Sequence, residues 1–287
     1  MKNIHVGFLM SYDYEKLKNS IPPVYAHADK IFIACDEKLR TWSGETFIIN
    51  YSFFDWLKEI DTEHKIEIYY DNFYVPEISA IENDNRERQM LSEKMGIGNW
   101  LVQIDSDEYF LDFKNFVSDL KKHNSFLENP EKNQIQIAAY LINIFKYTDS
   151  GMLFVKQPTR GIMATNYPSY KVARNTRKRI VYTKNILWHE TLQRTEAEIE
   201  FKLKNWGHNF QIDFEAFMHK WRTVNKHNYK SMRGFFYIEP EKWNELEFVE
   251  GTNITEISKN LNANTLMPSN FYIWKKNFGQ WFKFLFK

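Results

Sequence analysis

The run Asn99-Trp100-Leu101-Val102-Gln103-Ile104-Asp105-Ser106-Asp107-Glu108 sets three carboxylates within four residues, directly after a short apolar stretch. Like charges this close raise one another's pKa unless a cation offsets them. Oxygen ligands at a strand end suit a hard divalent ion, Mg²⁺ or Mn²⁺, which keeps waters and holds substrate phosphates. The plainer alternative is an acidic turn capping a helix near Leu111 to Lys122. A second cluster, His189-Glu190, closes a run of β-branched and aromatic residues that begins at Arg179. Without a ligand, His189 is a satisfied strand-end histidine and Glu190 caps Thr191 to Arg194. A third signal is Arg88. The segment Ser79 to Met95 opens with a capping box, Ser79-Ala80-Ile81-Glu82, and stops at Gly96. Arg88 interrupts the apolar face formed by Ile81, Leu91 and Met95. A cation there needs a buried carboxylate or a ligand phosphate, or else it snorkels to water.

These residues need elements to hold them. Ile4 to Met10, Ile31 to Cys35, Ile66 to Tyr70 and Trp100 to Ile104 are short apolar runs separated by segments with helical spacing. That pattern predicts βαβ units: an α/β fold whose mostly parallel sheet is flanked by helices. Ligands of such sheets sit at the carboxyl ends of the strands, which here are Ser11 to Tyr14, Asp36 to Lys38, Asp71-Asn72 and Asp105 to Glu108. Further on, Gln134 to Phe145, Met152 to Val155 and Arg179 to Trp188 read as strands, and Asp213 as the N-cap of a helix. The chain has 287 residues, enough for one core without staples, and no Pro/Gly/Ser linker divides it. The expected organisation is one α/β unit over residues 1–235 with a C-terminal extension over 236–287. A net charge of +1 argues against a nucleic-acid binder, and a single cysteine, Cys35, against a disulfide or cysteine-zinc scaffold. The first residues are too interrupted for a signal segment, and no run reaches the ~18 apolar residues of a membrane span. The expected location is the cytoplasm.

Taken together, these features resemble the GT-A glycosyltransferases, and within them glycosyltransferase family 2 members of the lipopolysaccharide-core glucosyltransferase type. The likeness is carried by Glu87-Arg88-Gln89, then Gly98-Asn99-Trp100-Leu101 leading into Asp105-Ser106-Asp107-Glu108. It continues through Lys171-Val172-Ala173-Arg174, Trp188-His189-Glu190-Thr191-Leu192, Asn205-Trp206-Gly207-His208 and Lys220-Trp221-Arg222. It covers roughly residues 1–230. Met10-Ser11-Tyr12-Asp13 stands where the family has Pro-Thr-Tyr-Asn. The resemblance implies a metal-dependent inverting transferase that moves a sugar from a nucleotide diphosphate sugar to a saccharide or lipid-linked acceptor in bacterial surface polysaccharide synthesis. Ser11, Tyr12, Asp36, Arg88, Asp105 and Ser106 would then hold the nucleotide, with Asp36 accepting from the base. Asp107, Asp105 and His208 would hold Mn²⁺ or Mg²⁺. Glu190 would be the base that takes the acceptor's hydroxyl proton, with His189 orienting it, binding the acceptor or reaching the metal. Lys220, Arg222 and Lys226 would clamp the leaving diphosphate or form a solvated helix face. The run Arg174, Arg177, Lys178 and Arg179 would meet acceptor phosphate or water. The same carboxylates also suit a metal-dependent phosphohydrolase or nucleotidyltransferase, and the aromatic surplus a non-catalytic carbohydrate binder. Finally, Phe271 to Lys287 interleaves aromatics with lysines and no acid. It is expected to lie in a membrane interface, bringing the protein to the inner face of the cell membrane, or else to dock as a helix or oligomer contact.

Overall fold

The computed structural model describes residues 2–192, 194–205, 213–236, 238–261 and 266–283. Four of the apolar runs form a parallel block: β1 (Ile4–Met10), β2 (Lys30–Asp36), β3 (Ile66–Asp71) and β4 (Trp100–Asp105), in spatial order β3-β2-β1-β4. Two short helical turns, α1 (Leu17–Ser20) and α2 (Pro22–Tyr25), lie between β1 and β2. Helices α3 (Tyr51–Ile60), α4 (Ala80–Met95) and α5 (Phe113–Lys121) cover the block. Side chains alternate across a strand, so β1 feeds two cores. Val6, Phe8 and Met10 pack with Phe53 of α3 and Phe116 of α5, whereas Leu9 packs with Leu91 and Met95 of α4. Burial on both faces is why β1, β2 and β4 read as apolar runs, whereas β3, at the edge of the sheet, is only half-buried.

Helix α4 positions three charged side chains. Its start is fixed as the capping box predicts, with the Ser79 amide donating to Glu82 at 2.9 Å. Gly96 ends it at φ +90°, a conformation that side chains resist. The helix lies tight on β1, since a Cβ at Gly7 would meet Leu91 and Met95 at 2.8 Å. That close approach carries Asp84, Glu87 and Arg88 over the strand ends.

The second half adds β5 (Glu108–Phe110), β6 (Ile135–Thr148), β7 (Gly151–Val155), β8 (Thr159–Thr165), β9 (Arg179–His189) and β10 (Leu246–Glu250). β8 runs antiparallel to both β4 and β6 and so extends the sheet. β6 also pairs with β7, and in parallel with β9. β10 joins β7, so part of the 236–287 extension belongs to the same sheet. Helices α6 (Glu196–Asn205), α7 (Phe214–Thr223), α8 (Ile254–Asn260) and α9 (Asn270–Lys283) complete the fold. Asp213 caps α7 through the Ala216 amide at 3.1 Å. The α/β class, with a helix-flanked parallel block making up one end of the sheet, is the one expected. Strands β5, β8 and β10 were not. β5 is three residues behind an acidic turn, β8 carries Gly161 and Ala164, and β10 is five residues broken by Glu247 and Glu250. Among the described residues no helix is long and apolar enough to cross a membrane.

Candidate functional site

β5 brings the two chemical motifs together. After Asp105 the chain turns through Ser106 and Asp107 into β5, which pairs with the end of β9 so that Glu108 faces His189. The Glu190 amide then donates to the Asp107 carbonyl at 2.8 Å. A cavity of about 290 Å³ opens at the carboxyl ends of β1, β2 and β4, where parallel sheets place ligands. Ser11 and Tyr12 line it after β1, Trp42 after β2, and Asp105, Ser106 and Asp107 after β4. His189 closes it from the end of β9, Thr191 from just beyond, and Lys202 from α6.

Nearly every charge in this corner already has a fixed counter-charge. Asp107 is the hub. Its Oδ2 accepts from Arg194 at 2.9 Å and from Lys202 at 2.8 Å, and its Oδ1 lies 3.7 Å from His189 Nε2. Burial alone would raise the Asp107 pKa, but Lys202, His189 and Arg194 carry it well below the usual carboxylate range. Arg88 donates to Asp84 at 2.6 Å and meets Asp105 at 2.9 Å. The cation in the apolar stripe is therefore answered by two carboxylates, the buried Asp84 and the half-buried Asp105. Burial would likewise raise Asp105, and Arg88 and Arg174 outweigh it. Arg174 forks onto Glu108 at 2.5 and 2.6 Å, so it belongs to the floor of the site and not to a surface run. Glu87 behaves differently. Burial pushes its carboxyl up to about 8, against the opposing hydrogen bond from Trp42.

His189 and Glu190 part company. His189 Nδ1 meets Asn143 Oδ1 at 2.8 Å and Thr191 Oγ1 at 2.9 Å. An amide oxygen can only accept, so Nδ1 carries the proton and Nε2 presents its lone pair toward Asp107. Burial lowers the His189 pKa, with Asp107 opposing, which keeps the ring neutral near pH 7. Glu190, the next residue, points elsewhere. It bonds Lys16 at 2.5 Å and lines a separate cavity of about 680 Å³ with Asn19, Thr195 and Asn253. The expected base thus does not line the cavity of the acidic corner, because adjacent residues at a strand end face opposite ways.

Asp36, another expected site residue, lines the cavity, but its carboxylate is filled. Oδ1 accepts from Arg40 Nε at 2.8 Å and from the Lys38 amide at 3.0 Å, and Oδ2 from Arg40 and from the Phe73 and Tyr74 amides. It organises two loops and is not free to accept from a base. Lys220 donates to the Arg233 and Gly234 carbonyls, Arg222 pairs with Glu196 at 3.0 Å, and Lys226 reaches Ser150 at 3.1 Å; none of them lines the cavity. His208 lies outside the described residues. Sequence reasoning missed Lys202, Arg194 and Trp42. Lys202 had a signal, since it shares a helix face with buried Ile199 and Leu203, the same anomaly that singled out Arg88.

The expected divalent ion can be tested against this geometry. Among the described residues no group of three or more His, Cys, Asp or Glu side chains is disposed to hold a metal. Asp105 and Asp107 are both in ion pairs with arginine or lysine, so an added dication would face Lys202 and Arg194 directly. As arranged, these residues do not fit Mn²⁺ or Mg²⁺.

No protein-family model and no curated protein matches the chain. Among solved structures, it is similar to mannose-6-phosphate isomerase from Helicobacter pylori, at 12% identity and a TM-score of 0.32 over 71% of this chain and 66% of that one. It is also similar to S. aureus TarS 1-349, at 11% identity and TM-score 0.27 over 50% of this chain and 35% of that one. Full TarS gives 10% identity and TM-score 0.34 over 98% of this chain and 54% of that one. The chain thus spans from about a third to about two thirds of these proteins' lengths. Likenesses of this size carry no argument about activity.

Proposed function

We propose that the cavity binds a nucleotide diphosphate sugar and that the protein transfers the sugar to a hydroxyl of a saccharide or lipid-linked acceptor, as a glycosyltransferase of bacterial surface polysaccharide synthesis. One observation carries the reading. The imidazole of His189, oriented by Asn143 at Nδ1 and with Nε2 3.7 Å from the Asp107 carboxylate, shares a cavity at the carboxyl edge of parallel strands with the ammonium of Lys202. A base and a cation held apart in this way suit displacement by a hydroxyl at a carbon whose leaving group is an anion.

In this reading the acceptor oxygen attacks the anomeric carbon and its proton passes to His189 Nε2. The bond from that carbon to the phosphate oxygen breaks, and its electron pair leaves on the nucleoside diphosphate. A single displacement of this kind inverts the anomeric centre. Asp107, whose Oδ1 lies 3.7 Å from that same nitrogen, attracts the imidazolium that forms. Lys202 spends one of an ammonium's three donors on Asp107 and meets the diphosphate with the others. Tyr12 and Trp42 offer ring surface to a base or sugar. Among the described residues the acidic corner does not fit a metal, and no step here is routed through one.

The test is calorimetric titration of uridine, guanosine and thymidine diphosphates and their sugars, in EDTA and in Mn²⁺. One nucleotide is expected to bind in EDTA, with Lys202→Met weakening it tenfold or more, and its sugar to be slowly hydrolysed. Binding only in Mn²⁺ would return the charge to an ion at Asp105 and Asp107. Binding of none would end the reading.

A further inference from the structure

Helix α9 is mounted the wrong way round for a helix that only covers a core. At about 100° per residue, Ile273, Asn277 and Gln280 form one face and Phe271, Trp274, Phe278 and Phe282 the opposite one. The first, mainly polar face is the docked one. Asn277 accepts from the Tyr182 amide at 2.7 Å and donates to the Tyr182 carbonyl at 3.0 Å, while Gln280 accepts from the Ile180 amide at 3.1 Å. The Arg179 guanidinium lies 4.2 Å from the Trp281 ring centre. The aromatic face is turned outward, with Phe271 69% exposed, Trp274 58%, Phe278 49% and Phe282 48%. Its rings form a continuous stripe, with centres 6.0 Å apart from Phe271 to Trp274, 5.2 Å to Phe278 and 4.8 Å to Phe282. An apolar patch this contiguous marks an interaction surface.

The geometry points to a bilayer carrying anionic lipid as the occupant: α9 lies in the membrane interface with its aromatic stripe among the headgroups. Charge decides between the candidates. Lys275 and Lys276 flank the stripe, Lys283 follows it, and the helix holds no Asp or Glu. A second copy of the chain would bring like charges face to face, whereas an anionic surface complements them. Tryptophan and lysine side by side are also the pairing that interfaces favour. The surface is independent of the reading of the cavity. Tyr182 is seven residues along β9 from His189, roughly 23 Å in an extended strand.

The experiment is co-sedimentation of the full chain with vesicles of phosphatidylglycerol and, separately, of phosphatidylcholine, with analytical ultracentrifugation alongside. The parent is expected to pellet with phosphatidylglycerol and to be released by salt. The variant F271S/W274S/F278S/F282S alters only exposed side chains and should bind at least tenfold more weakly. Lys275→Glu with Lys276→Glu keeps every ring and should also lose phosphatidylglycerol vesicles. Circular dichroism checks that both variants keep the fold. A parent that ignores both vesicles, or pellets as well after the ring substitutions, overturns the proposal. So does a parent dimer that those substitutions dissolve while vesicles stay unbound.

Discussion

Two cavities meet at the end of β9, one on each side of a single peptide unit. His189 serves the first, beside Asp107 and Lys202, while Arg194 reaches Asp107 from the wall of the second. Glu190 serves the second, where its carboxylate is held by Lys16 in a wider, more open space. The dipeptide looks like one functional unit in the sequence, yet its members have different surroundings. The lesson is that a base is assigned by the face it occupies and not by its nearness in sequence to a motif.

The strongest way to break this contrast is to remove the hub of the first cavity. Asp107→Asn should cost about 3 kcal/mol, because it leaves Lys202 without its counter-charge and Arg194 with Asp13 alone, and it should abolish transfer. Urea unfolding measures the first effect. A cost under about 1 kcal/mol would mean the cluster is not a cluster. Next comes the pair itself. His189→Asn should lower the transfer rate by about 10²–10⁴, while Glu190→Gln should leave it within severalfold and cost about 1–3 kcal/mol through the weakened Lys16 contact. The reverse pattern in steady-state rates would restore Glu190 as the base.

The pH profile sharpens the same contrast more gently. Asp107 and His189 both titrate below their unfolded values. The unfolded chain therefore binds more protons than the native one in each window. The His189 contribution is full above 6.5 and fades as pH falls below that, and the Asp107 contribution is full above 3.8 and is lost in stronger acid. Glu87 runs the other way. Its carboxyl is raised from 4.5 to about 8, so its contribution is present below 4.5 and is lost as pH rises through 8. Glu87→Gln should remove that decline, whose slope is at most about 1.4 kcal/mol per pH unit. Melting temperatures from pH 5 to 9 for parent and variant would show it. Parallel curves would place Glu87 in contact with water.

Much of the parallel block was legible because a strand buried on both faces leaves a continuous apolar run, as Ile4–Met10 and Trp100–Asp105 do. The acidic corner was legible for the same reason, since carboxylates stand out at the end of such a run. Arg88 was legible as an anomaly, though not its partners. The fate of Glu190 was not, because which face a strand-end residue takes depends on register, and register here comes from β5, a three-residue strand paired across the fold. Asp36 was misjudged for a related reason. A carboxylate after β2 does look available, until Arg40 and the amides of Phe73 and Tyr74 converge on it. Such convergence belongs to tertiary structure and leaves no local trace.

The seating of α9 on β9 has one more consequence. Asn277 and Gln280 occupy backbone positions of Ile180 and Tyr182 that a neighbouring strand would otherwise take. They work as a guard rail, since bare ladder groups recruit other chains. A chain clipped before Asn270 should thus be prone to self-association as well as missing its aromatic stripe, and truncation is the wrong tool for asking what that stripe is for.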